Sequence, residues 1–318
     1  MDQRRSSNIP IGGIVREGHL LYMGINAVCN LTECVRQRGV YMEILLRLRN
    51  GETTENDWNV LMENCTNNNL TPEQIARFHS SETIWLFNTN KENHIHNIKQ
   101  LKSLNQPIIL MKAEHDCVSS IGKAPDAAKK LSSTLYLAIN AKIMLLWNVN
   151  LSSGLVNGST GTIKDFIFVE GQKAPELPAN IVIEFDDYIN PKYFTTPGQE
   201  KWVPIEPETA KWGGQSEEDH FRKQFPITLA YALTVWKCQG LTIKGLVAVS
   251  LGDSEKEHGL SFVALSRATD IKNVYLGNGC SLQRLTKIKD GAKFIGRIPE
   301  DARLLRNGEE TRRHFGHT

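Results

Sequence analysis

Residues 226–242 read Pro226-Ile-Thr-Leu-Ala-Tyr-Ala-Leu-Thr-Val-Trp-Lys-Cys-Gln-Gly-Leu-Thr242, and this is the most informative stretch of the chain. Four of its residues fall at i, i+3, i+4 and i+7, which is the spacing of one buried helix face: Leu229, Ala232, Leu233 and Trp236. Lys237 follows at the end of this apolar stripe, and Gly240 can end a helix in a left-handed cap. The pattern therefore predicts a short helix with a lysine at its end.

A second stretch, Phe262-Val-Ala-Leu-Ser-Arg-Ala268, also places a basic residue beside the apolar stripe of a predicted short helix. Its spacing predicts a helix whose buried face is set by Leu260, Val263 and Ala264, with Arg267 next on that face. A buried arginine needs an anionic partner, and phosphate is one candidate. The alternative is that Lys237 and Arg267 only complement the negative ends of their helices.

Both stretches resemble motifs of the superfamily 1B helicases. Residues 230–242 are similar to motif V, whose usual pattern is Ala-Trp-Ala-x-Thr-Ile-His-Lys-Ser-Gln-Gly-x-Thr, and residues 263–268 are similar to motif VI. The chain thus resembles the RecD-like helicases of the petite integration frequency (PIF) type.

Three further segments support this resemblance. Gly154-Leu-Val-Asn-Gly-Ser-Thr-Gly161 is similar to a family signature, Ala141-Lys-Ile-Met-Leu145 is similar to the strand before it, and Leu31-Thr-Glu-Cys-Val-Arg-Gln37 resembles motif IV. The segments follow one another in the family's order, within about residues 21–276. Each match alone is weak, but five matches in order make a strong signal.

The sequence lacks the motifs with which this family binds ATP. No Gly-x-x-x-x-Gly-Lys-Ser/Thr run occurs, and the single Gly-Lys pair, Gly122-Lys123, is followed by Ala124. No apolar strand ends in Asp-Glu, and no Gly-Asp-x-x-Gln-Leu-Pro motif precedes residue 31. We therefore expect the C-terminal half of such a helicase, inactive by itself.

Composition favours an ordinary intracellular globular protein. The chain has 318 residues, of which 40% are hydrophobic, and a net charge of +2, so any DNA site must be a local groove. Its six cysteines show no Cys-x-x-Cys spacing and no signal peptide precedes them, which indicates reduced thiols. We expect a nuclear protein, with mitochondria as the second choice. No apolar run is long enough for a membrane span.

The resemblance implies an α/β fold, namely the second RecA-like, P-loop-NTPase-type helicase domain without its P-loop. Short strands separated by Pro, Gly and Asp predict a small antiparallel module, which the resemblance identifies as an inserted β-barrel. The expected divisions are a junction with a missing first domain (1–37), the first part of the RecA-like domain (38–160), the inserted module (161–205), the part with motifs V and VI (206–290) and a basic tail (291–318).

Local patterns predict several elements. Residues 39–50 are a predicted helix ended by Gly51, and capping boxes at Thr71–Gln74 and Thr89–Glu92 predict two more helices. Apolar runs predict strands, among them 83–87 and 108–111. The polar stretch through Asn69 has no predicted element. The first 20 or so residues and the basic tail are expected to be flexible.

The resemblance also implies roles at an ATP site. In the family, the second domain supplies arginines from motifs IV and VI, which correspond to Arg36 and Arg267 here, and a planar guanidinium suits a phosphate. For Arg36 the alternative is a solvated loop arginine beside Arg38. ATP and Mg²⁺ would be bound mostly by the missing half. Three more residues are expected on the nucleotide side: Gln37, Gln239 and Gly240.

Single-stranded DNA is the expected partner, in free or forked form, for a monomer without membrane contact. For Asn157-Gly158 the alternative is a type I′ hairpin turn. For Trp236 the alternative is core packing. Trp236 and Cys238 replace the usual His and Ser, and these departures bear on the coupling of DNA binding to ATP use. Five residues are expected to contact DNA: Asn157, Gly158, Trp236, Lys237 and Thr242.

The expected activity is ATP-dependent unwinding with 5′-to-3′ movement. Genome-maintenance helicases, acting in DNA repair, recombination and telomere maintenance, share these motifs with transposon-borne ones. The alternative is a non-catalytic, nucleic-acid-binding remnant. No metal site is expected, because His115-Asp-Cys117 has no second ligand pair at zinc spacing.

Overall fold

A computed structural model describes residues 13–31, 33–212, 220–252, 255 and 259–315 of the chain. None of the helices in this part is both long and apolar enough to span a bilayer. Two short 3-10 helices, Ile271–Asn273 and Lys287–Asp290, accompany the α-helices. The α-helices are α1 (Gly13–Met23), α2 (Gly39–Asn50), α3 (Glu55–Cys65), α4 (Pro72–Phe78), α5 (Asn90–Ser103), α6 (Val118–Ile121), α7 (Leu260–Leu265), α8 (Leu282–Thr286) and α9 (Ala292–His314).

The strands are short and lie mostly in the middle of the chain. They are β1 (Ile84–Phe87), β2 (Ile109–Lys112), β3 (Glu114–His115), β4 (Thr134–Leu137), β5 (Lys142–Leu145), β6 (Thr160–Ile167), β7 (Asn180–Phe185), β8 (Trp202–Ile205), β9 (Glu208–Trp212), β10 (His220–Gln224), β11 (Ile227–Leu229), β12 (Ala232–Thr234), β13 (Val247–Val249) and β14 (Val274–Tyr275).

The chain forms two compact units that group the sequence differently from the expected divisions. The first unit combines Met1–Pro72 with Leu251–Thr318, and the second unit is Glu73–Ser250. Motifs IV and VI therefore share the first unit, although about 230 residues separate them in sequence. Motif V and the loop at residues 154–161 lie in the second unit.

In the first unit, α2 packs against α7. Gly51 ends α2 with a left-handed φ of 70°, as the sequence predicted, and Glu43 and Arg47 pair one turn apart at 3.7 Å. A Cβ at Gly51 would lie 2.9 Å from Cβ of Lys289, so only glycine fits there. The buried residues of these two helices are Tyr41, Ile44, Leu45, Leu48, Leu260, Ser261, Ala264 and Leu265.

The second unit contains a parallel sheet in which β1 lies between β12 and β13. Helix α5 covers β1 and β12, as expected of an α/β layer. Thr89 caps α5 by accepting a hydrogen bond from the Glu92 amide, which confirms the predicted helix start. Leu86 at the centre of β1 is fully buried.

A five-stranded antiparallel sheet forms the rest of the core of the second unit, in the order β11-β5-β6-β7-β8. The short strands that the sequence predicts for the inserted module are present as β6, β7 and β8. The expected closed barrel does not form in the described residues, because β11 and β8 remain the two edges of an open sheet. Within this part, β3, β10 and β9 form a further small antiparallel sheet.

The helix predicted in motif V is wrong. Residues 227–229 and 232–234 are strands β11 and β12, and residues 235–240 form consecutive turns. Nearly every residue from Ile227 to Val235 is buried, so the apolar set is not one face of a helix but a strand buried on both sides. The side chain of Asn97 holds the junction between the strands, since its Oδ1 accepts from the amides of Tyr231 (3.1 Å) and Ala232 (3.0 Å).

Three other predictions need correction. The polar stretch before Asn69 contains α3, which begins at a capping box between Thr54 and Asp57. The tail expected to be flexible is helix α9, stabilised by ion pairs such as Arg297–Asp301 one turn apart. Residues 13–23 form α1, whereas the flexibility expected for residues 1–12 falls outside the described residues.

Candidate nucleotide and DNA sites

Motif IV is attached to motif VI by buried hydrogen bonds in the first unit. Nε2 of Gln37 donates to the carbonyls of Ser266 (2.8 Å) and Ala268 (2.7 Å), and Gln37 is only 5% exposed. Tyr41 adds a bond from its hydroxyl to the Leu265 carbonyl at 2.6 Å, and burial raises its pKa above the ordinary value. Gln37 therefore positions the backbone around Arg267.

The two predicted arginines meet at one residue. Nη1 of Arg36 donates to the Ser266 carbonyl at 3.1 Å, and Nη2 of Arg267 donates to the Ser266 hydroxyl at 2.8 Å. Two guanidinium charges on one serine repel each other, and an anion bound beside them relieves that repulsion. Two positively charged groups that bond to the same serine have a charge suited to a phosphate.

Arg267 is buried, as its spacing predicted, but it lies just beyond α7 and not on it. It is 7% exposed, and its Nε donates to the Val263 carbonyl at 2.8 Å near the end of the helix. The helix-end interaction considered as an alternative is therefore present. It engages one nitrogen of the guanidinium, and the bond to Ser266 engages another.

Sequence reasoning missed the residues that fix the start of α7. The Glu255 carboxylate accepts from the amide (3.0 Å) and the hydroxyl (2.5 Å) of Ser261, and it pairs with Arg284 at 2.9 Å. The Arg284 side chain is fully buried. These residues lie up to 29 positions apart and follow no local pattern, so no sequence signal pointed to them.

The motif V turns of the second unit expose most of the predicted contact residues. Trp236 is 49% exposed, so the core-packing alternative is wrong. Gly240 has a φ of 84°, which confirms the left-handed conformation although it lies in a turn. Cys238 is buried, and its thiol donates to the Val235 carbonyl at 3.0 Å. The other exposed residues are Lys237, Gln239 and Thr242.

The ammonium group of Lys237 lies in an unusual environment for an exposed residue. Desolvation by surrounding protein atoms lowers its pKa, and the charge of Lys130 acts in the same direction, while Asp126 opposes both. A phosphate placed beside this ammonium would favour its charged form. The surroundings of Lys237 therefore hold a second positive charge, on Lys130, and one negative charge, on Asp126.

The loop at residues 154–161 packs against motif V through Gly158. A Cβ on Gly158 would lie 2.9 Å from Cδ2 of Leu241, and its φ is 98°. The amide of Gly158 donates to the Leu145 carbonyl at 2.9 Å, while Asn157 is exposed. The tight-hairpin alternative is wrong, because Asn157 lacks the positive φ of a type I′ turn and residues 146–159 separate β5 from β6.

A cavity of about 580 Å³ brings three of the five predicted DNA-contact residues together: Asn157, Gly158 and Thr242. Lys142 and Lys244 also line it, as do acidic residues, among them Asp186 and Asp187. Asp186 accepts a hydrogen bond from Thr160, and Asp187 pairs with Lys244 at 3.8 Å. The cavity is thus polar but not uniformly basic, and Trp236 and Lys237 are not part of its lining.

One further cluster was not expected from the sequence. His220 lies beside Asp116 and Cys117, and these are the three potential metal ligands that come together in the described part of the chain. Local spacing could not indicate this cluster, because His220 is 103 residues from Cys117.

Comparison with known proteins shows which proteins this chain is similar to. The protein-family model described as the 2B domain of DNA helicase Pif1 matches residues 128–166 of the sequence. A solved Pif1 helicase from Candida albicans covers 84% of this chain and 59% of its own length, with a TM-score of 0.59 and 21% identity. Bacteroides Pif1 bound to ssDNA gives a TM-score of 0.57 at 20% identity, over 84% of this chain and 57% of its own. The chain therefore shares the RecA-like α/β fold of these two solved proteins.

Sequence comparison also finds relatives among the PIF-type helicases. Human ATP-dependent DNA helicase PIF1 is 31% identical over 149 residues, which are 47% of this chain and 20% of that protein. The uncharacterized protein 030L of Invertebrate iridescent virus 6 is 27% identical over 313 residues, covering 80% of this chain and 57% of the viral protein. The resemblance to PIF-type helicases is confirmed, and the chain spans less than two thirds of these relatives.

Proposed function

We propose that this chain is the second RecA-like part of an ATP-dependent DNA helicase that moves 5′ to 3′ on single-stranded DNA. The observation that carries the proposal is the meeting of Arg36 and Arg267 at Ser266. Two guanidinium groups that bond to the same serine suit, by their positive charge, the negative charge that develops on a transferred phosphoryl group. The relatives named as ATP-dependent DNA helicases support the same activity.

ATP hydrolysis would require a P-loop-bearing domain, which we propose as the holder of ATP and Mg²⁺. ATP would supply the phosphoryl group, and this chain would contribute charge and positioning. Gln37 and Tyr41 would hold the backbone at 265–268, and Glu255 would hold the start of α7. Arg267 would then be presented at low entropic cost, because its surroundings are already ordered. Gln239 and Gly240 would lie on the nucleotide side of motif V.

Single-stranded DNA is the proposed partner of the exposed motif V turn and of the loop at 154–161. Lys237 would contact a phosphate and Trp236 would stack on a base, as occurs in other single-strand sites. Asn157, Gly158 and Thr242 would contact the strand from the cavity. Bacteroides Pif1 has been solved with ssDNA, and two coordinating Pif1 helicases have been described at forked dsDNA, which supports these partners.

We further propose a nuclear location and a role in genome maintenance, with one chain acting on each single strand. The second candidate is a non-catalytic nucleic-acid-binding protein, favoured by Trp236, which stands where motif V usually has histidine. Both candidates bind single strands, so ATP turnover by this chain joined to a P-loop-bearing domain distinguishes them.

The first test uses the chain alone. We expect it to bind an oligothymidylate at low salt and to hydrolyse no ATP with or without DNA, because half of the phosphate site is absent. Fluorescence anisotropy and phosphate release measure the two properties. DNA-stimulated turnover above that of a mock preparation would contradict the proposed division of the site, and absence of binding at low salt would contradict the proposed DNA surface.

A further inference from the structure

A cluster of three metal-ligand side chains lies at one end of the small sheet β3-β10-β9. Strands β3 and β10 pair antiparallel, with His115 opposite Arg222. Asp116 and Cys117 follow directly after β3, and His220 is the first residue of β10. The antiparallel pairing therefore places the end of one strand beside the beginning of the other.

The distances among the three donor atoms fit one small ion. Nδ1 of His220 is 2.8 Å from Oδ2 of Asp116 and 3.5 Å from Sγ of Cys117, and all three atoms lie within 4.8 Å of one another. Ligands about 2.0–2.3 Å from a tetrahedral zinc ion lie roughly 3.3–3.7 Å apart. The 3.5 Å separation already lies in this range, the 2.8 Å separation would have to widen by about half an ångström, and the third separation is within 4.8 Å.

Neighbouring groups already orient the donors. Oδ1 of Asp116 accepts from the amide of Phe221 at 3.3 Å, which leaves Oδ2 directed to His220. The His220 ring packs beside Trp212, with ring centroids 6.0 Å apart. Contacts of this kind hold ligands in orientation around protein-bound metals.

The segment that carries two of the ligands is also anchored. Arg222 lies on the same face of β10 as His220, and its buried guanidinium donates to carbonyls of the segment that follows Cys117. The acceptors are the carbonyls of Ser120 (2.8 Å), Lys123 (2.9 Å) and Leu131 (2.8 Å). The side chains of His220 and Asp116 retain 17% and 20% exposure, so an ion can reach them.

We propose that Asp116, Cys117 and His220 form a Zn²⁺ site, with solvent as the fourth ligand. The thiolate and imidazole favour zinc over magnesium or calcium, which prefer oxygen ligands alone. The ion would join the end of β3 to the start of β10. It would stabilise this sheet independently of ATP and DNA, so the proposal does not depend on the helicase function.

The test is a titration of the metal-free chain with Co²⁺ and then Zn²⁺. We expect one equivalent of Co²⁺ to produce a thiolate-to-cobalt charge-transfer band and tetrahedral visible bands, which Zn²⁺ then removes. Cys117→Ser and His220→Ala should each weaken binding at least about 100-fold, because even indirect partners of metal ligands are worth 10–100-fold. Cys29→Ser and His94→Ala, both at exposed positions, are the matched controls and should change nothing.

A second measurement needs no variant, in case a substitution prevents folding. Zn²⁺ should protect Cys117 from alkylation, mapped by peptide mass spectrometry, while the exposed Cys29 reacts at the same rate with and without the metal. The proposal is overturned if Cys117 reacts equally fast in both conditions. It is also overturned if both ligand variants bind Co²⁺ like the parent, since the three side chains would then be an ordinary hydrogen-bonded cluster.

Discussion

Replacing Lys237 with alanine tests whether motif V contacts DNA through its charge. Lys237 is exposed, and both desolvation and Lys130 lower its pKa, so a bound phosphate would relieve an unfavourable environment. One lost phosphate contact lowers the magnitude of the slope of log K against log salt by about 0.7 for a single strand. Between 50 and 200 mM salt, the affinity deficit of Lys237→Ala should therefore shrink about 2.6-fold.

The assay is anisotropy of a labelled oligothymidylate over that salt range, repeated with a mixed sequence. The loss should be the same for both sequences, because a phosphate contact carries no base information. Lys102→Ala, an exposed lysine on α5, is the matched control and should leave the slope unchanged. An unchanged slope in Lys237→Ala, or an equal change in Lys102→Ala, would refute the assignment of Lys237 to the DNA surface.

Two other predictions concern the second unit. Trp236→Ala should lower affinity for single strands by ~1–3 kcal/mol, or about 5- to 150-fold, at a constant salt slope. Tyr136→Ala, an aromatic 44% exposed on β4, should not, and equal losses in both would argue against stacking by Trp236. Burial between aromatic rings lowers the pKa of His96 to about 4 from 6.5. The unfolded chain then binds the proton first, so stability should fall as pH drops from 6.5 towards 4. NMR titration of the ring should show this pKa, and a value near 6.5 would contradict it.

Elements with local signals were predictable from the sequence. Gly51 follows the apolar stripe of α2, and this helix ends there. Thr89 precedes Glu92 at capping-box spacing, and α5 begins there. The apolar spacing of a helix and its capping residues depend only on neighbours in the sequence, so distant contacts in the folded chain do not alter them. The resemblance to PIF-type helicases also rested on local signals, because each motif is a run of adjacent residues and the motifs follow the order expected for such helicases.

Elements decided by distant contacts were not predictable. The stripe at Leu229 to Trp236 fits a helix, but pairing of β12 with β1 and the hydrogen bonds of Asn97 select strands. The open antiparallel sheet has the strands of a barrel without the closure, and strand spacing alone does not specify closure.

In the candidate sites, too, local signals were predictable from the sequence and contacts between distant residues were not. Arg36 and Arg267 were identified by their motifs, but only the folded structure shows that both side chains bond to Ser266. Glu255 and the Asp116–Cys117–His220 cluster depend on residues far apart in sequence, so no spacing rule could find them.

The most direct test of the account is DNA-stimulated ATP hydrolysis by this chain joined to the P-loop-bearing domain of a PIF-type helicase. Arg267→Ala should lower turnover by ~10³–10⁵ while binding to single strands is kept, because the arginine stabilises the transferred phosphoryl group. Arg38→Ala, exposed in the same segment as Arg36, should retain turnover. Full turnover in Arg267→Ala would show that this residue only supports the end of α7. Absence of turnover in the joined protein, with DNA bound, would favour the non-catalytic remnant.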